Sequence, residues 1–208
     1  MNNELGLSRI VGHLMGDGYV SKRYIRYNNK ERFLIDNFRS HFSNCFPNVN
    51  FIYGKVNSGT LFIQIQNKDT INLLFNLCKN FKSDSLVFPK FIDTLEMKRE
   101  FISAIFDDEG CVGLRIHKKT GDIKRNLEIA SKSKKFMEDI KNTLENDFGI
   151  RCNKIISFKR KLNDKEFITW KLSITGKENF IKFKDKINFT HPDKKEKLNA
   201  MINSYIRK

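Results

Sequence analysis

The sequence lacks the marks of a membrane or secreted protein. No window reaches the roughly 18 apolar residues that a membrane-spanning helix needs. The start of the chain, MNNELGLSRI, does not have the basic-then-apolar layout of a secretory signal. The four cysteines stand far apart without a CxxC pair, so neither a zinc knuckle nor a dense disulfide framework is indicated. These absences favour reduced thiols and an intracellular location, in the cytoplasm and nucleoid or in an organelle matrix.

Acidic residues are also scarce relative to basic ones. Lys and Arg number 39 against 24 Asp and Glu, which gives a formal net charge of +15. Such an excess predicts attraction to polyanions, most often nucleic acid, although a lysine-rich but ordinary protein surface is the alternative. Hydrophobic residues make up 39% of the 208 residues, with 19 Phe among them. The chain therefore has ample material for a core, which argues against a disordered class.

An internal repeat organises the chain. Residues 10–18 read IVGHLMGDG and residues 102–110 read ISAIFDDEG. Both segments predict a short apolar helix, with Gly12 and Gly16 in the first matched by Ala104 and Asp108 in the second, followed by an acid and a glycine. Two more pairs of blocks follow in the same order, 26–30 with 127–132 and 61–66 with 169–174. Each half therefore predicts the order helix, strand, strand, helix, strand, strand, helix.

The repeat also predicts the domain organisation. We assign an N-terminal half to residues 1–82 and a C-terminal half to residues 98–208. A linker at 83–97 contains Pro89, which interrupts the pattern. The last stretch, 191–208, has Pro192 near the start of a further amphipathic helix and belongs to the C-terminal half.

The acid that ends each repeated helix indicates a metal site. A helix C-terminus carries partial negative charge, so Asp17 and Glu109 are unfavourable there, and side-by-side packing of the helices would add repulsion between them. A divalent cation would offset both effects, since carboxylate and carbonyl oxygens suit Mg²⁺. The alternative is a pair of solvated acids at frayed helix ends. Gly18 and Gly110 are expected to be left-handed caps that turn the chain into a strand.

The two blocks resemble the LAGLIDADG motifs of homing endonucleases. The order of elements is similar to that family's duplicated αββαββα unit, and the resemblance covers residues 7–198. The second motif, FISAIFDDEG at 101–110, is close to the family pattern. In the first motif His13 and Met15 stand where Leu and often Asp are usual, and Asp108 replaces a small residue of the helix interface in the second. His13 lies in mid-helix and is interpreted as a packing residue.

The resemblance implies a fold and a metal site. The fold would be α+β, a pseudo-twofold duplicate of αββαββα units. Two curved antiparallel sheets would form a DNA-binding saddle, with the motif helices packed at the interface. Asp17 and Glu109 would hold divalent metals over the two scissile phosphates, with the backbone carbonyls of Gly16 and Asp108 as additional ligands. The cofactor would be Mg²⁺, with Mn²⁺ able to substitute.

The resemblance also gives roles to two pairs of residues at the ends of strands. Asn29 with Lys30, and Ser131 with Lys132, would position the attacking water or contact developing charge. Both lysines precede a helix, where a cation opposes the helix dipole. That repeated misplacement favours a functional role over the alternative of ordinary lysines at helix starts.

Strand alternation predicts the residues that face DNA. Residues 61, 63 and 65 would point inward with Leu114 and Ile116, while their neighbours point outward. Arg and Gln can read base edges in the major groove, whereas Lys mainly meets phosphate. A merely solvated sheet face is the alternative for any single residue. The predicted DNA contacts are Lys22, Arg23, Arg26, Lys55, Gln64, Gln66, Arg115, His117, Lys159, Lys161, Lys171 and Ser173.

The resulting prediction is a monomeric, site-specific double-strand DNA endonuclease. By resemblance it would hydrolyse phosphodiester bonds across the minor groove of a long recognition site, leave short 3′ overhangs and support intron or intein mobility. The chain has no room for flanking protein-splicing domains, so an intron-encoded or free-standing protein is expected. Two alternatives remain: a maturase that binds intron RNA, and a non-catalytic DNA-binding regulator. Retention of both Asp17 and Glu109 argues against the regulator.

Overall fold

Helices and strands follow one another in the order that the repeat predicts. The first half contains α1 (Asn3–Gly16), β1 (Gly18–Val20), β2 (Ile25–Asn29), α2 (Arg32–Cys45), β3 (Phe51–Lys55), β4 (Leu61–Ile65) and α3 (Lys68–Leu77). The second contains α4 (Leu95–Glu109), β5 (Cys111–Ile116), β6 (Ile123–Ser131), α5 (Lys134–Asn146), β7 (Ile156–Leu162), β8 (Lys165–Ile174) and α6 (Lys177–Lys186). A last helix, α7 (Pro192–Asn203), begins at the predicted proline.

The computed structural model describes residues 3–116, 119, 121–162 and 165–205. The chain divides into two compact units, one of residues 1–82 and 88–108 and the other of residues 83–87 and 109–208. Helix α4 up to Asp108 thus packs with the first unit, although it follows the predicted linker in sequence. Among the described residues no helix is both long and apolar enough to cross a membrane.

Each unit contains one four-stranded antiparallel sheet. The strand order is β1-β2-β4-β3 in the first unit and β5-β6-β8-β7 in the second. Neighbours pair in antiparallel fashion throughout. The predicted α+β class, with two antiparallel sheets of the same strand order, is confirmed.

The core of the first unit forms between its sheet and α2. Leu34, Phe38 and Phe42 recur at helical spacing and are buried along one face of α2. Phe38 stacks on Tyr27 of β2, with ring centroids 4.7 Å apart. One face of this sheet is therefore covered by α2, which leaves the opposite face as the outward one.

The second unit repeats this arrangement with α5. Phe136, Ile140 and Leu144 are buried on one face of α5, and Leu172 of β8 is buried as well. The Ser133 side chain begins α5 by accepting a hydrogen bond from the backbone N–H of Phe136, the expected N-cap interaction.

Helices α1 and α4 approach closely through small residues. A Cβ added at Gly12 would lie 2.7 Å from the Cβ of Ala104, and one at Gly16 would lie 2.7 Å from Oδ2 of Asp108. Neither distance is tolerable, so glycine is needed at both positions. The predicted packing of the motif helices is confirmed, and Gly16 makes the room that the larger Asp108 requires.

One detail of the sequence prediction is wrong. Gly18 and Gly110 do not have positive φ angles, so neither is a left-handed cap. A Cβ at Gly18 would instead lie 2.7 Å from the backbone oxygen of Leu14, and close approach is the reason for glycine there.

Leu114 and Ile116 lie on the helix side of their sheet, as predicted, but they are 39% and 67% exposed, because they line an open cavity of about 400 Å³ beside α7.

Candidate functional site

Asp17 lies at the exit of the first motif helix. Helix α1 ends at Gly16 and β1 begins at Gly18, so Asp17 occupies the turn between them and is half-buried. The Asn29 side-chain amide donates a hydrogen bond to Oδ2 of Asp17 at 3.1 Å. The backbone N–H of Asn28 donates to the Asp17 carbonyl at 3.3 Å. The structure therefore brings together two residues that the sequence analysis singled out, Asp17 and Asn29, and orients the carboxylate.

The three consecutive acids at the end of α4 have three different surroundings. The Asp107 carboxylate is buried and pairs with Arg9 at 2.8 Å. The Asp108 side chain is also buried and accepts from Nδ1 of His13 at 3.0 Å. Glu109 is exposed. Of the three side chains, that of Glu109 is the one exposed to solvent, and its role as a metal ligand stays a prediction.

Arg9 joins three helices. Its side chain is 4% exposed, and its guanidinium donates to Glu100 at 2.9 Å, to Asp107 at 2.8 Å and to the Asn37 side chain at 3.2 Å. Glu100 and Asp107 belong to α4 and Asn37 to α2. Sequence reasoning missed Arg9, although a charged residue beside Ile10 on an apolar helix was a usable signal.

A chain of hydrogen bonds connects His13 to Asn29. The Tyr27 hydroxyl donates to Oδ1 of Asp108 at 2.6 Å, while His13 contacts Oδ2 of the same carboxylate. The Asn29 amide in turn donates to the Tyr27 oxygen at 3.2 Å. His13 is fully buried and its ring lies 5.1 Å from that of Tyr27. It packs as predicted, and it is also a member of a polar network that reaches Asp17.

Burial of His13 predicts a pH dependence of stability. Burial, aided by the charge of Arg9, lowers the pKa of His13 from 6.5 to about 3. Between those values the unfolded chain binds a proton that the folded chain does not, so the free energy of unfolding falls as pH drops below about 6.5, by up to about 1.4 kcal/mol per pH unit. Urea unfolding at pH 7 and pH 5 measures this slope. The variant His13→Gln should have a shallower slope, and equal slopes would contradict the assignment.

The other residues predicted at strand ends, Lys30, Ser131 and Lys132, are exposed or half-buried. Lys30 and Lys132 are exposed, and the Lys132 ammonium lies 4.4 Å from the Phe167 ring centroid. The Ser131 hydroxyl accepts from the backbone N–H of Ser133 at 3.2 Å. The structure thus leaves both lysines in positions that solvent or a ligand can reach.

Arg26 and Gln64 share the outward face of the first sheet. They are paired in the register of β2 and β4, and Nε of Arg26 donates to the Gln64 side-chain oxygen at 3.0 Å. The Arg26 guanidinium also lies 4.4 Å from the Phe62 ring centroid. Both predicted residues are present on the predicted face, and each orients the other.

The matching face of the second sheet carries an ion pair. The Glu128 carboxylate accepts from Lys171 at 3.0 Å and from the Ser173 hydroxyl at 3.1 Å. Burial alone would raise the pKa of Glu128, but the hydrogen bonds and charge of these neighbours outweigh it and lower that pKa. Lys171 and Ser173 were predicted to face outward, whereas Glu128 was not anticipated. A carboxylate on this face can accept a hydrogen bond from cytosine.

Strand register shows that the remaining predicted DNA contacts do not all lie on the outward faces of the sheets. Lys22, Arg23, Gln66 and Arg115 are exposed. Alternation places Lys55 on the helix-covered face beside Asn29 and Leu61, and Lys159 and Lys161 opposite to the face of Lys171. His117 lies outside the described residues.

Arg160, which stands between the predicted contacts Lys159 and Lys161, lies on the outward face of the second sheet. It pairs with Phe167 in the register of β7 and β8. Its guanidinium lies 4.9 Å from the Phe158 ring centroid.

The oxygens around Asp17 have the chemistry that Mg²⁺ prefers. Mg²⁺ commonly takes one or two carboxylates and completes its shell with waters and substrate phosphates. The half-buried Asp17 carboxylate and the Gly16 carbonyl at the end of α1 are donors of this type. In the part of the chain that the structure describes, no cluster of three His, Cys, Asp or Glu side chains is preassembled. The residues therefore fit a cation that a substrate phosphate helps to bind.

Two αββαββα repeats, each beginning with a helix that has an acid at its C-terminal end, define the LAGLIDADG class of fold. Residues 96–188 match the model of the LAGLIDADG-like domain. The resemblance predicted from the two motifs is confirmed.

Solved structures share the fold over nearly the whole chain. I-DmoI in complex with DNA and Mn is 16% identical with a TM-score of 0.62, over 91% of this chain and 99% of that one. Full-length DUF199/WhiA from Thermatoga maritima is 13% identical with a TM-score of 0.62, over 98% of this chain and 61% of that one.

Curated relatives contain a similar segment within much longer proteins. Glutamine–fructose-6-phosphate aminotransferase of Methanocaldococcus jannaschii is 28% identical over 205 residues, which is 95% of this chain and 17% of the relative. The probable translation initiation factor IF-2 of the same organism is 29% identical over 206 residues, 97% of this chain and 16% of the relative. The chain thus spans less than a fifth of the length of either protein.

Proposed function

We propose that the protein is a metal-dependent, site-specific double-strand DNA endonuclease. The observation that carries this proposal is the Asp17 carboxylate, held by Asn29 at the exit of a motif helix in a chain of net charge +15. Glu109 is the corresponding acid of the second motif helix and is exposed. I-DmoI, which shares the fold, is described in complex with DNA and Mn. That description supports both the substrate and the use of a divalent metal.

Each acid would hold a divalent metal, and the carbonyls of Gly16 and Asp108, which precede Asp17 and Glu109, would be further ligands. Bound Mg²⁺ supplies Lewis-acid stabilisation of charge on a phosphate and lowers the pKa of a coordinated water. Asn29 keeps the Asp17 carboxylate in one orientation through its hydrogen bond at 3.1 Å. Lys30 and Lys132, which are exposed beside Asn29 and Ser131, would contact the attacking water or the negative charge that develops on the phosphate.

DNA recognition would use the outward faces of the two sheets. Arg26 is restrained by Gln64 and Phe62, so little side-chain freedom is lost when it binds a guanine edge. The exposed Lys22 and Arg23 in the turn between β1 and β2 would contact phosphates, which fix position rather than sequence.

The curated relatives support a role in the mobility of an intron or intein. An aminotransferase and a translation initiation factor have unrelated activities, yet each contains a segment that matches at least 95% of this chain. A segment that recurs within unrelated proteins behaves as an inserted module rather than as part of either activity. A site-specific double-strand cut is the chemical step that such insertion requires.

A DNA-binding protein that does not cut is the second candidate. The likeness to DUF199/WhiA over 98% of this chain favours it, because one fold supports several functions. This candidate would bind DNA with the same sheet faces and the same basic charge. It differs from the first candidate only in that Asp17 and Glu109 would not hold a catalytic metal.

Selection from random duplexes followed by a cleavage assay tests the proposal. Duplexes retained by the protein in Ca²⁺ are enriched, sequenced, cloned into a plasmid and incubated with the protein and Mg²⁺. We expect one enriched sequence, linear plasmid product, and affinity that falls steeply with salt as phosphate contacts release counterions. Enrichment without cleavage would support the second candidate and overturn the nuclease. Preferential binding of structured RNA would instead favour a maturase.

A further inference from the structure

We propose that the buried triad of His13, Asp108 and Tyr27 positions Asn29, and through it Asp17, so that cleavage of one DNA strand depends on this triad and cleavage of the other does not. The inference rests on the proposed nuclease function. It assigns positioning roles to side chains that would not contact DNA or metal.

The Tyr27 hydroxyl determines how Asn29 is oriented. Tyr27 donates its only hydroxyl proton to Asp108 at 2.6 Å, so its oxygen is left to accept. The Asn29 side chain must then present its NH₂ group to Tyr27, at 3.2 Å, rather than its oxygen. The second proton of that NH₂ group reaches Oδ2 of Asp17 at 3.1 Å. The Asn29 oxygen accepts from the backbone N–H of Glu31 at 3.0 Å, which holds the other end of the amide.

Tyr27 cannot easily move away from this position. Its ring is buried, stacks on Phe38 at 4.7 Å and lies 5.1 Å from the His13 ring. Its hydrogen-bond acceptor, Asp108, is fixed in turn by His13 at 3.0 Å. A buried carboxylate is costly unless it is well hydrogen-bonded, and both oxygens of Asp108 are used to hold these two neighbours.

The second half of the chain does not carry the same residues at the matching positions of the repeat. In the repeat, Ile105 corresponds to His13, Gly16 to Asp108 and Ile129 to Tyr27. None of these three carries a polar side chain, and Ser131 stands in place of Asn29. The two acids are therefore supported by different chemistry, and loss of the Tyr27 hydroxyl, which contacts Asn29, should affect the Asp17 side alone.

Strand-resolved cleavage by Tyr27→Phe tests the inference. The plasmid target is labelled separately on each strand and cut under single-turnover conditions. We expect one strand to be cut roughly three- to tenfold more slowly, so that nicked plasmid accumulates, while the other strand is cut at the wild-type rate. Tyr53→Phe is the matched control, since Tyr53 pairs with Ile63 in the same row of the sheet as Tyr27 and should leave both rates unchanged. Equal slowing of both strands, or none, would overturn the proposal.

A second measurement needs neither metal nor cleavage. In ¹⁵N NMR spectra of the metal-free protein, Tyr27→Phe should shift the Asn29 side-chain amide pair and Tyr53→Phe should not. Asp108→Asn, which keeps the volume of the side chain, should shift the same pair and serves if Tyr27→Phe does not fold. An unmoved Asn29 signal in both variants would refute the positioning role. If the wild-type protein cuts no DNA, the proposed function fails and this spectrum alone decides the positioning.

Discussion

Replacing Asp17 with Asn is expected to prevent efficient cleavage of one DNA strand while leaving DNA binding intact. The change removes the negative charge that would hold the metal, yet keeps the size and hydrogen-bonding oxygen of the side chain. Metal stabilisation of a transition state is worth several kcal/mol, so the rate of cleavage of the dependent strand should fall by roughly 10³-fold or more. Asp17 is half-buried and lies in a turn after α1, so the fold should tolerate the change.

The assay separates a lost metal site from a lost structure. Gel-shift affinity in Ca²⁺ reports binding, and plasmid conversion in Mg²⁺ reports cleavage. Glu109→Gln should give the same result for the other strand, so that each single variant yields nicked rather than linear plasmid. Asp69→Asn is the matched control, because Asp69 is an exposed acid in the first turn of α3. Full linearisation by Asp17→Asn would remove Asp17 from the catalytic site.

The helix–helix contact was predictable because its signal is local and repeated. Gly12 and Gly16 stand four positions apart, and the small residue Ala104 recurs at the place of Gly12 in the second half. This pattern favours close helix packing, and Gly12 against Ala104 has that geometry. The same reasoning failed for Gly18. Glycine is required either for positive φ or for close approach, and a sequence does not distinguish the two causes.

The DNA-facing residues were predictable only in part. Alternation in β4 assigned Gln64 to the outward face, where it contacts Arg26. Lys55 and Lys159 fall on the other face, because register depends on pairing with a neighbouring strand, and a shift of one residue reverses every side chain. Composition indicates that a strand is basic, but pairing decides which side is basic.

The polar network was out of reach because its members are far apart in sequence. Asp108 and His13 are separated by 95 positions, and Asp108 and Tyr27 by 81. The motif comparison marked Asp108 as a departure from a small residue, but nothing local indicated that Gly16 makes room for it. Such compensation between distant positions appears only when the helices are packed.

Replacing Arg9 with Met is expected to cause the largest loss of stability. Arg9 and Asp107 form a buried pair, with side chains 4% and 0% exposed. Met retains much of the side-chain volume but leaves Asp107 as a buried charge without this partner, and removal of one partner from a buried pair costs about 3–5 kcal/mol. The urea concentration at the midpoint of unfolding should fall, with little change in the dependence of the free energy of unfolding on urea concentration.

The matched control is Arg32→Met, which breaks the ion pair with Asp36. Those side chains are 72% and 49% exposed, and exposed pairs are worth about 1 kcal/mol or less. The double variant Arg9→Met with Asp107→Leu should be more stable than Arg9→Met alone, since it leaves no buried charge at position 107. If Arg9→Met and Arg32→Met destabilise the protein equally, the buried Arg9–Asp107 pair does not hold α1 and α4 together. Arg9 lies one turn of α1 before His13, and Asp107 is next to Asp108. Loss of the buried pair should therefore also loosen the hydrogen bonds that lead to Asp17.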